Sequence, residues 1–150
     1  MTHFGVLLGL AYNQFVDELH EHLAKHGFTH LKPTFGFAFK VLAQESVTTS
    51  RLAALLRITP QGAAKTVEEM VAAGYVDRVP DPSDGRVKLL VLTDRARALL
   101  ATGHEFHQAF ERELAQSLGE AKIETFREVL DAMVARSDSP DSLARTLKQL

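Results

Sequence analysis

Cysteine is absent from this 150-residue chain, which excludes disulfides, thiolate zinc sites and thiol-based redox sensing together. No apolar run approaches the roughly 20 residues of a membrane-spanning helix. The first residues carry neither the basic flank nor the small-residue cleavage site of a secretory signal, so a cytoplasmic chain with no membrane partner is expected. Also missing are a Gly-rich phosphate loop, a paired-carboxylate site and an assembled nucleophile motif. The chain therefore reads as a non-enzyme without a cofactor. A positive charge excess is lacking as well: 17 Lys and Arg stand against 19 Asp and Glu, net −2, with pI near 6.4. That sum suits a nucleic-acid binder poorly, since phosphate neutralisation needs cations. The charges are unevenly spread, however. Residues 47–93 hold six basic groups against five acids, net +1, and the remainder holds 11 against 14, net −3.

Size and a 45% apolar composition fit one domain, 1–150, with a real core. Residues 6–26 place Leu8, Tyr12, Phe15, Leu19 and Leu23 at three- and four-residue steps, which predicts an amphipathic helix stopped by Gly27. After Pro33, the segment Thr34–Gln44 predicts a buried helix, with Phe35, Phe39 and Leu42 on one side and Phe37 and Val41 on another. Leu99, Phe106, Phe110, Leu114 and Leu118 mark a long helix. Ile123, Phe126, Leu130 and Met133 mark another after Gly119. Ser137–Pro140 looks like a hinge before a last short helix carrying Leu143 and Leu147.

The middle of the chain is the most informative. Thr48 or Thr49 can cap a short helix containing Leu52, Ala53, Leu55 and Leu56, and Arg57-Ile58 then leads into Thr59-Pro60, an N-cap followed by proline at the first helical position. This is helix, tight turn, helix. The second helix runs to about Ala73, with Gly74 ending it in the left-handed conformation. Ala63, Val67 and Met70 share its packing face while Gln61 and Lys65 point away. Two strand-like runs follow, Tyr75–Pro80 and Val87–Thr93, joined by the turn-rich Asp81–Arg86. A hairpin directly after a helix-turn-helix is a wing. Its Arg86 is placed to reach a minor groove while the preceding helix occupies the major groove.

For Gln61 and Lys65 two readings compete: ordinary exposed helix residues, or readers of an adenine and a guanine edge. The adjacent wing favours the second. Glu68 and Glu69 read as a solvated acidic face, so only the first turns of the helix are expected to enter the groove. Thr48, Thr49, Ser50, Thr59 and Thr66 suit either caps or phosphate contacts, and Arg57, Arg78 and Lys88 are candidate phosphate partners. Asp84 lies two residues before Arg86, where its carboxylate can order the loop and hold the guanidinium, or simply form an Asp-Gly turn.

These residues resemble the multiple-antibiotic-resistance-type (MarR-type) regulators. Asp81-Pro82-Ser83-Asp84-Gly85-Arg86 followed by Leu92-Thr93 is similar to that family's wing signature, and Gly74-Tyr75-Val76-Asp77-Arg78 to the segment leading into it. Lys65 stands where Arg is frequent and Gly62 where a hydroxyl residue is frequent, departures that bear on the operator and not on the fold. The resemblance implies a mainly α fold with a small β-hairpin wing (α+β). A winged helix-turn-helix lobe, 47–93, would be flanked by dimerisation helices in 1–46 and 94–150. It also implies a homodimeric, sequence-specific regulator, a repressor, on a near-palindromic double-stranded operator, with Gly62 included in the DNA-binding surface. Release by a small aromatic or phenolic effector is part of the same implication. Phe35 and Phe39 would line the effector cleft, with His30 and Lys32 at its rim; plain core is the competing reading for the Phe28, Phe35, Phe37, Phe39 cluster.

Seven histidines raise a metal reading. His22 and His26 are four apart on one helix, and His104, His107 and Glu111 share a face of another, yet neither set matches a known zinc motif. Surface or interface histidines are the preferred reading. The alternatives to a ligand-released regulator are therefore a zinc-responsive protein of the same fold, or a dimeric interaction module with a non-functional helix-turn-helix. A small enzyme is disfavoured.

Overall fold

The computed structural model describes residues 1–137 together with Leu143 and Leu147. Its elements run α1 (Phe4–Lys25), α2 (Phe35–Gln44), α3 (Thr49–Leu56), α4 (Pro60–Ala72), β1 (Val76–Asp81), β2 (Asp84–Leu92), α5 (Asp94–Leu118) and α6 (Glu120–Val134). The expected class, mainly helical with one antiparallel hairpin, is the observed one. Helix ends follow local chemistry. Gly27 and Gly74 both take positive φ, +87° and +83°. Beside them the N–H groups of Phe28 and Tyr75 reach back to the carbonyls of Leu23 and Met70, satisfying orphan acceptors of the last turn.

One continuous core runs from Leu23 of α1 through Phe35, Phe39 and Val41 of α2, Leu52 and Leu55 of α3, and Val67 and Met70 of α4. It then takes in Tyr75, Val76, Leu90 and Leu99. Phe35, Phe39 and Tyr75 are almost fully enclosed, and the Phe39 ring meets that of Tyr75 edge-on with centroids 5.5 Å apart. A short bridge adds a third line of pairing to the hairpin, as the Leu90 N–H donates to the Val47 carbonyl at 2.8 Å. The wing is thereby anchored to the start of α3.

Three expectations need correction. Phe37 does not join the buried side of α2; it is 44% exposed, because α2 packs through Phe35, Ala38, Phe39, Val41 and Leu42. The hairpin connection is also much shorter than Asp81–Arg86. The strands pair Asp81 with Asp84, leaving Pro82 and Ser83 as the turn, and a register shift follows before Pro80 pairs with Lys88. Arg86 therefore sits on β2 in that irregular stretch and not at the tip. Of the hinge, only Ser137 falls within the described residues. Leu143 and Leu147 are helical and half-buried, Leu143 against the core.

The termini are built differently from the middle. No described residue of α6 is buried, and Phe4, Val6, Leu7 and Leu10 of α1 and Phe126, Val129 and Met133 of α6 stay exposed. In α5 the buried residues, Ala96, Leu99 and Gly103, all lie in its first half.

Candidate nucleic-acid interface

Helices α3 and α4 are set by two threonine caps and one left-handed residue. The Thr48 hydroxyl accepts from the Arg51 N–H at 3.1 Å, so Thr48 and not Thr49 caps α3. Arg57 takes φ +53°, and the N–H groups of Arg57 and Ile58 donate to the carbonyls of Ala54 and Ala53. Such a conformation costs a β-carbon-bearing residue about 1–2 kcal/mol. Thr59 then caps α4 by accepting from the Gly62 N–H at 3.0 Å, with Pro60 in the first turn. A β-carbon at Gly62 would lie 3.1 Å from that hydroxyl, so glycine leaves the cap its room. The consequence is a fixed α4 whose exposed face carries Gln61, Ala64, Lys65 and Glu68, opposite Ala63, Val67 and Met70 in the core.

Thr66 departs from expectation. It is 8% exposed on the inner side of α4 beside Val67, so its hydroxyl is not presented to a phosphate. The two glutamates also differ from a merely solvated face. Glu68 accepts from the Arg78 guanidinium of β1 at 2.5 Å, and Glu69 accepts from Lys32 Nζ at 2.6 Å. Each carboxylate is thus paired with a cation before any phosphate approaches, and the first pair ties α4 to the wing.

In the wing, the Asp81 carboxylate accepts from both the N–H and the hydroxyl of Ser83, at 2.8 and 2.7 Å. These bonds close the turn and hold Asp81 below the usual carboxylate range. Asp84 accepts from the Arg86 N–H and Nε through one oxygen, both at 3.1 Å, and from the other end of the guanidinium through its second oxygen at 3.3 Å. Arg86 in turn depresses the Asp84 pKa. With its side chain 92% exposed, Arg86 projects into solvent while its fork is held. Lys88 is exposed farther along the same strand.

A cavity of about 180 Å³ lies between α1, α2 and the first half of α5. Its walls are largely apolar, with Leu19, Phe35, Phe39 and Leu99 among them, and its polar lining comes from His20, Lys40 and His107. Burial pushes the His107 pKa down, the nearby Lys40 and His104 charges add to this, and Glu111 opposes it. Burial likewise lowers His20 against a partial offset from Asp17. The cavity thus presents one ammonium group and two imidazoles biased to the neutral form.

The comparisons with known proteins match this geometry. Residues 40–87, spanning α3, α4 and most of the wing, match the family model for the MarR family. Over 102 residues the chain is 28% identical to an uncharacterised HTH-type transcriptional regulator of Mycobacterium bovis, covering 67% of this chain and 71% of that protein. An HTH-type transcriptional regulator of Mycobacterium tuberculosis matches equally. Across its helix-turn-helix and most of its wing the chain is thus similar to the MarR family. Solved structures agree at the level of fold. Wild-type apo MarR of E. coli superposes with TM-score 0.64 at 23% identity over 89% of this chain and 98% of that one. An E. coli MarR variant in complex with operator DNA gives 0.64 at 24% over 86% and 91%, and the heme sensor PefR gives 0.61 at 20% over 89% and 94%.

Within this chain, the fold brings Thr48, Thr59, Gln61, Gly62 and Lys65 together at the helix-turn-helix, alongside Arg57 at its turn, Thr49 at the start of α3 and the exposed Ser50. Asp84, Arg86 and Lys88 gather on the wing, and Arg78 is engaged by Glu68. The effector reading is only half matched by geometry. Phe35 and Phe39 line the cavity, but His30 and Lys32 do not: His30 is exposed at φ +59°, and Lys32 turns away to Glu69. The polar lining residues His20, Lys40 and His107 were not singled out for the cleft; the only signal for Lys40 was its place one residue after Phe39. The metal sets do not assemble. Among the described residues no three His, Cys, Asp or Glu side chains form a group that could hold an ion. Glu111 is bonded to Arg127 at 2.7 Å, His107 lies on the Phe15 ring with centroids 5.0 Å apart, and the Nδ1 of His26 contacts the His22 carbonyl.

Proposed function

We propose that this chain is a sequence-specific regulator of the MarR family that binds double-stranded DNA as a homodimer on a near-palindromic operator and acts as a repressor. The carrying observation is the exposed first half of α4, with Gln61 and Lys65 outward, set beside a wing whose Arg86 is gripped by Asp84. A helix of this kind fills a major groove while the wing reaches the neighbouring minor groove. Arg57, Thr48 and Lys88 would position the lobe on phosphates, Gln61 and Lys65 would read bases. The solved complex of an E. coli MarR variant with operator DNA supports the same use of the fold.

The homodimer is supported by the uncovered apolar residues of α1 and α6, among them Phe4, Val6, Leu7, Leu10, Phe126, Val129 and Met133. A second copy related by a two-fold axis covers them and sets two α4 helices one helical turn of DNA apart. Among the described residues no helix is long and apolar enough to cross a membrane. The effector in this reading is a small aromatic anion. An engineered cavity of about 150 Å³ accepts benzene, so about 180 Å³ suits a single ring, with Lys40 available to its charge. The PefR neighbour is described with heme, a far larger group than this cavity admits.

The test is selection of bound fragments from the organism's own genome, followed by titration at two salt concentrations. Recovery of two-fold symmetric sites with half-site centres roughly 10 bp apart is expected. A chain with no salt-dependent affinity for any duplex is an interaction module instead.

A further inference from the structure

We propose that the loop joining α1 to α2 is a strap that carries the state of the cavity to the DNA-reading face. The proposal rests on the reading of the chain as a ligand-controlled DNA binder and names the path of that control. Leu31 and Pro33 both line the cavity, and Lys32 between them turns the opposite way to meet Glu69 of α4 at 2.6 Å. The Phe35 N–H donates to the Lys32 carbonyl at 3.0 Å, a turn that leaves Leu31 and Pro33 on the cavity and the Lys32 side chain on α4. Any outward displacement of the loop therefore pulls on a carboxylate of the candidate recognition helix.

Two further ties hold the same loop to the lobe. The Tyr75 hydroxyl donates to the Thr29 carbonyl at 2.8 Å, and Tyr75 immediately precedes β1. Arg95 lies over the Tyr75 ring at 4.9 Å and reaches the Gly27 carbonyl at 3.4 Å. The loop is thus fastened to α4, to the root of the wing and to the start of α5. Other cavity walls, Phe35 and Phe39 in particular, are embedded in close-packed core that resists displacement. Around Leu31 the loop is exposed at His30, Lys32, Pro33 and Thr34, so this wall has solvent behind it and is the one that yields. The Lys32 side chain is 51% exposed and that of Glu69 26%. Such a pair adds little to stability. Its role in this proposal is coupling.

The structure offers a built-in substitute for the unidentified effector. Gly103 lines the cavity from α5, it is buried, and a β-carbon there meets no atom within 4 Å. Gly103→Leu fills the cavity permanently. The experiment is a cycle of parent, Gly103→Leu, Lys32→Met and the double variant, read by amide hydrogen exchange of residues 60–92 without DNA and by operator affinity. Gly103→Leu is expected to alter protection across α4 and the wing root, and to weaken operator binding about fivefold or more, the low end of ordinary coupling factors. With Lys32→Met both effects should shrink to within about twofold. The charge-swapped pair Lys32→Glu with Glu69→Lys should restore them, which a purely structural role for Lys32 would not produce.

If Gly103→Leu does not fold, Gly103→Ala adds one methyl into open space and carries the same expectation at smaller amplitude. Equal effects of cavity filling with and without Lys32, or no effect in either readout, overturn the strap. An exchange response that needs Lys32, in a protein that binds no duplex, upholds the strap and overturns the DNA-binding reading instead.

Discussion

Asp84 grips Arg86 through both carboxylate oxygens, at 3.1 and 3.3 Å, although the two residues are only two positions apart on β2. The Arg86 N–H donates to the same carboxylate at 3.1 Å, an Asx turn in the irregular stretch of β2 that brings the short carboxylate to the guanidinium fork. Two of the five N–H donors of Arg86 are taken, and the rest of the group projects into solvent with its direction set.

Arg86→Ala is expected to weaken binding to operator and to scrambled duplex alike, and to flatten the salt dependence, because a wing guanidinium neutralises backbone charge and senses groove width. Asp84→Asn should lower the ratio of operator to scrambled affinity, since it removes the constraint on Arg86 while also removing a negative charge. Titration at two salt concentrations measures both. Full retention of both affinities by Arg86→Ala would mean that the wing does not engage DNA.

Gln61→Ala and Lys65→Ala should each cost about 1–3 kcal/mol chiefly on the operator, as major-groove base contacts supply discrimination that unrelated DNA does not offer. Both side chains lie off the Ala63, Val67, Met70 face, so the variants should unfold at the parent's temperature. A uniform loss on every duplex would reassign them to phosphate contact.

Arg57→Gly relieves the left-handed strain at φ +53° and is expected to raise stability by about 1 kcal/mol in denaturant unfolding. Operator affinity should fall in the same variant if Arg57 also meets a phosphate. A lowered unfolding midpoint would show that the Arg57 side chain stabilises the turn by more than its conformation costs.

Stability should fall in mild acid. Burial holds His107 and His20 below their ordinary value of 6.5, so as pH drops past 6.5 the unfolded chain takes up protons that the folded chain still refuses. Their contribution is complete above that value and is lost as pH falls through the depressed folded values. Urea midpoints at about pH 7.5 and 5.5 should show the decline, and His107→Gln should lessen it. An identical decline in His107→Gln would place the cause elsewhere.

Val129→Asp on the exposed face of α6 should convert a dimer at micromolar concentration into monomers with an intact winged lobe and sharply reduced operator affinity. Sedimentation and circular dichroism check this together. A parent protein that sediments as a monomer yet binds operator tightly would overturn the dimer.

What the sequence determined by itself was local. Thr59-Pro60, Gly74 and the spacing of Ala63, Val67 and Met70 act within one or two turns of helix, so the helix-turn-helix and the outward placing of Gln61 and Lys65 were legible from residue order. The Asp84–Arg86 contact was legible for the same reason. Tertiary structure alone decided the rest. Lys32 and Glu69 are 37 positions apart, and nothing in either neighbourhood announces their meeting, which assigns Lys32 to α4 and takes it from the cavity. Lys40, His20 and His107 come from three helices and converge only when α1, α2 and α5 pack. Thr66 looked as polar as Thr59 until the packing of α4 against α3 and β1 turned it inward. Local propensity sets which way a side chain leaves its own helix, and only packing sets what waits there to receive it.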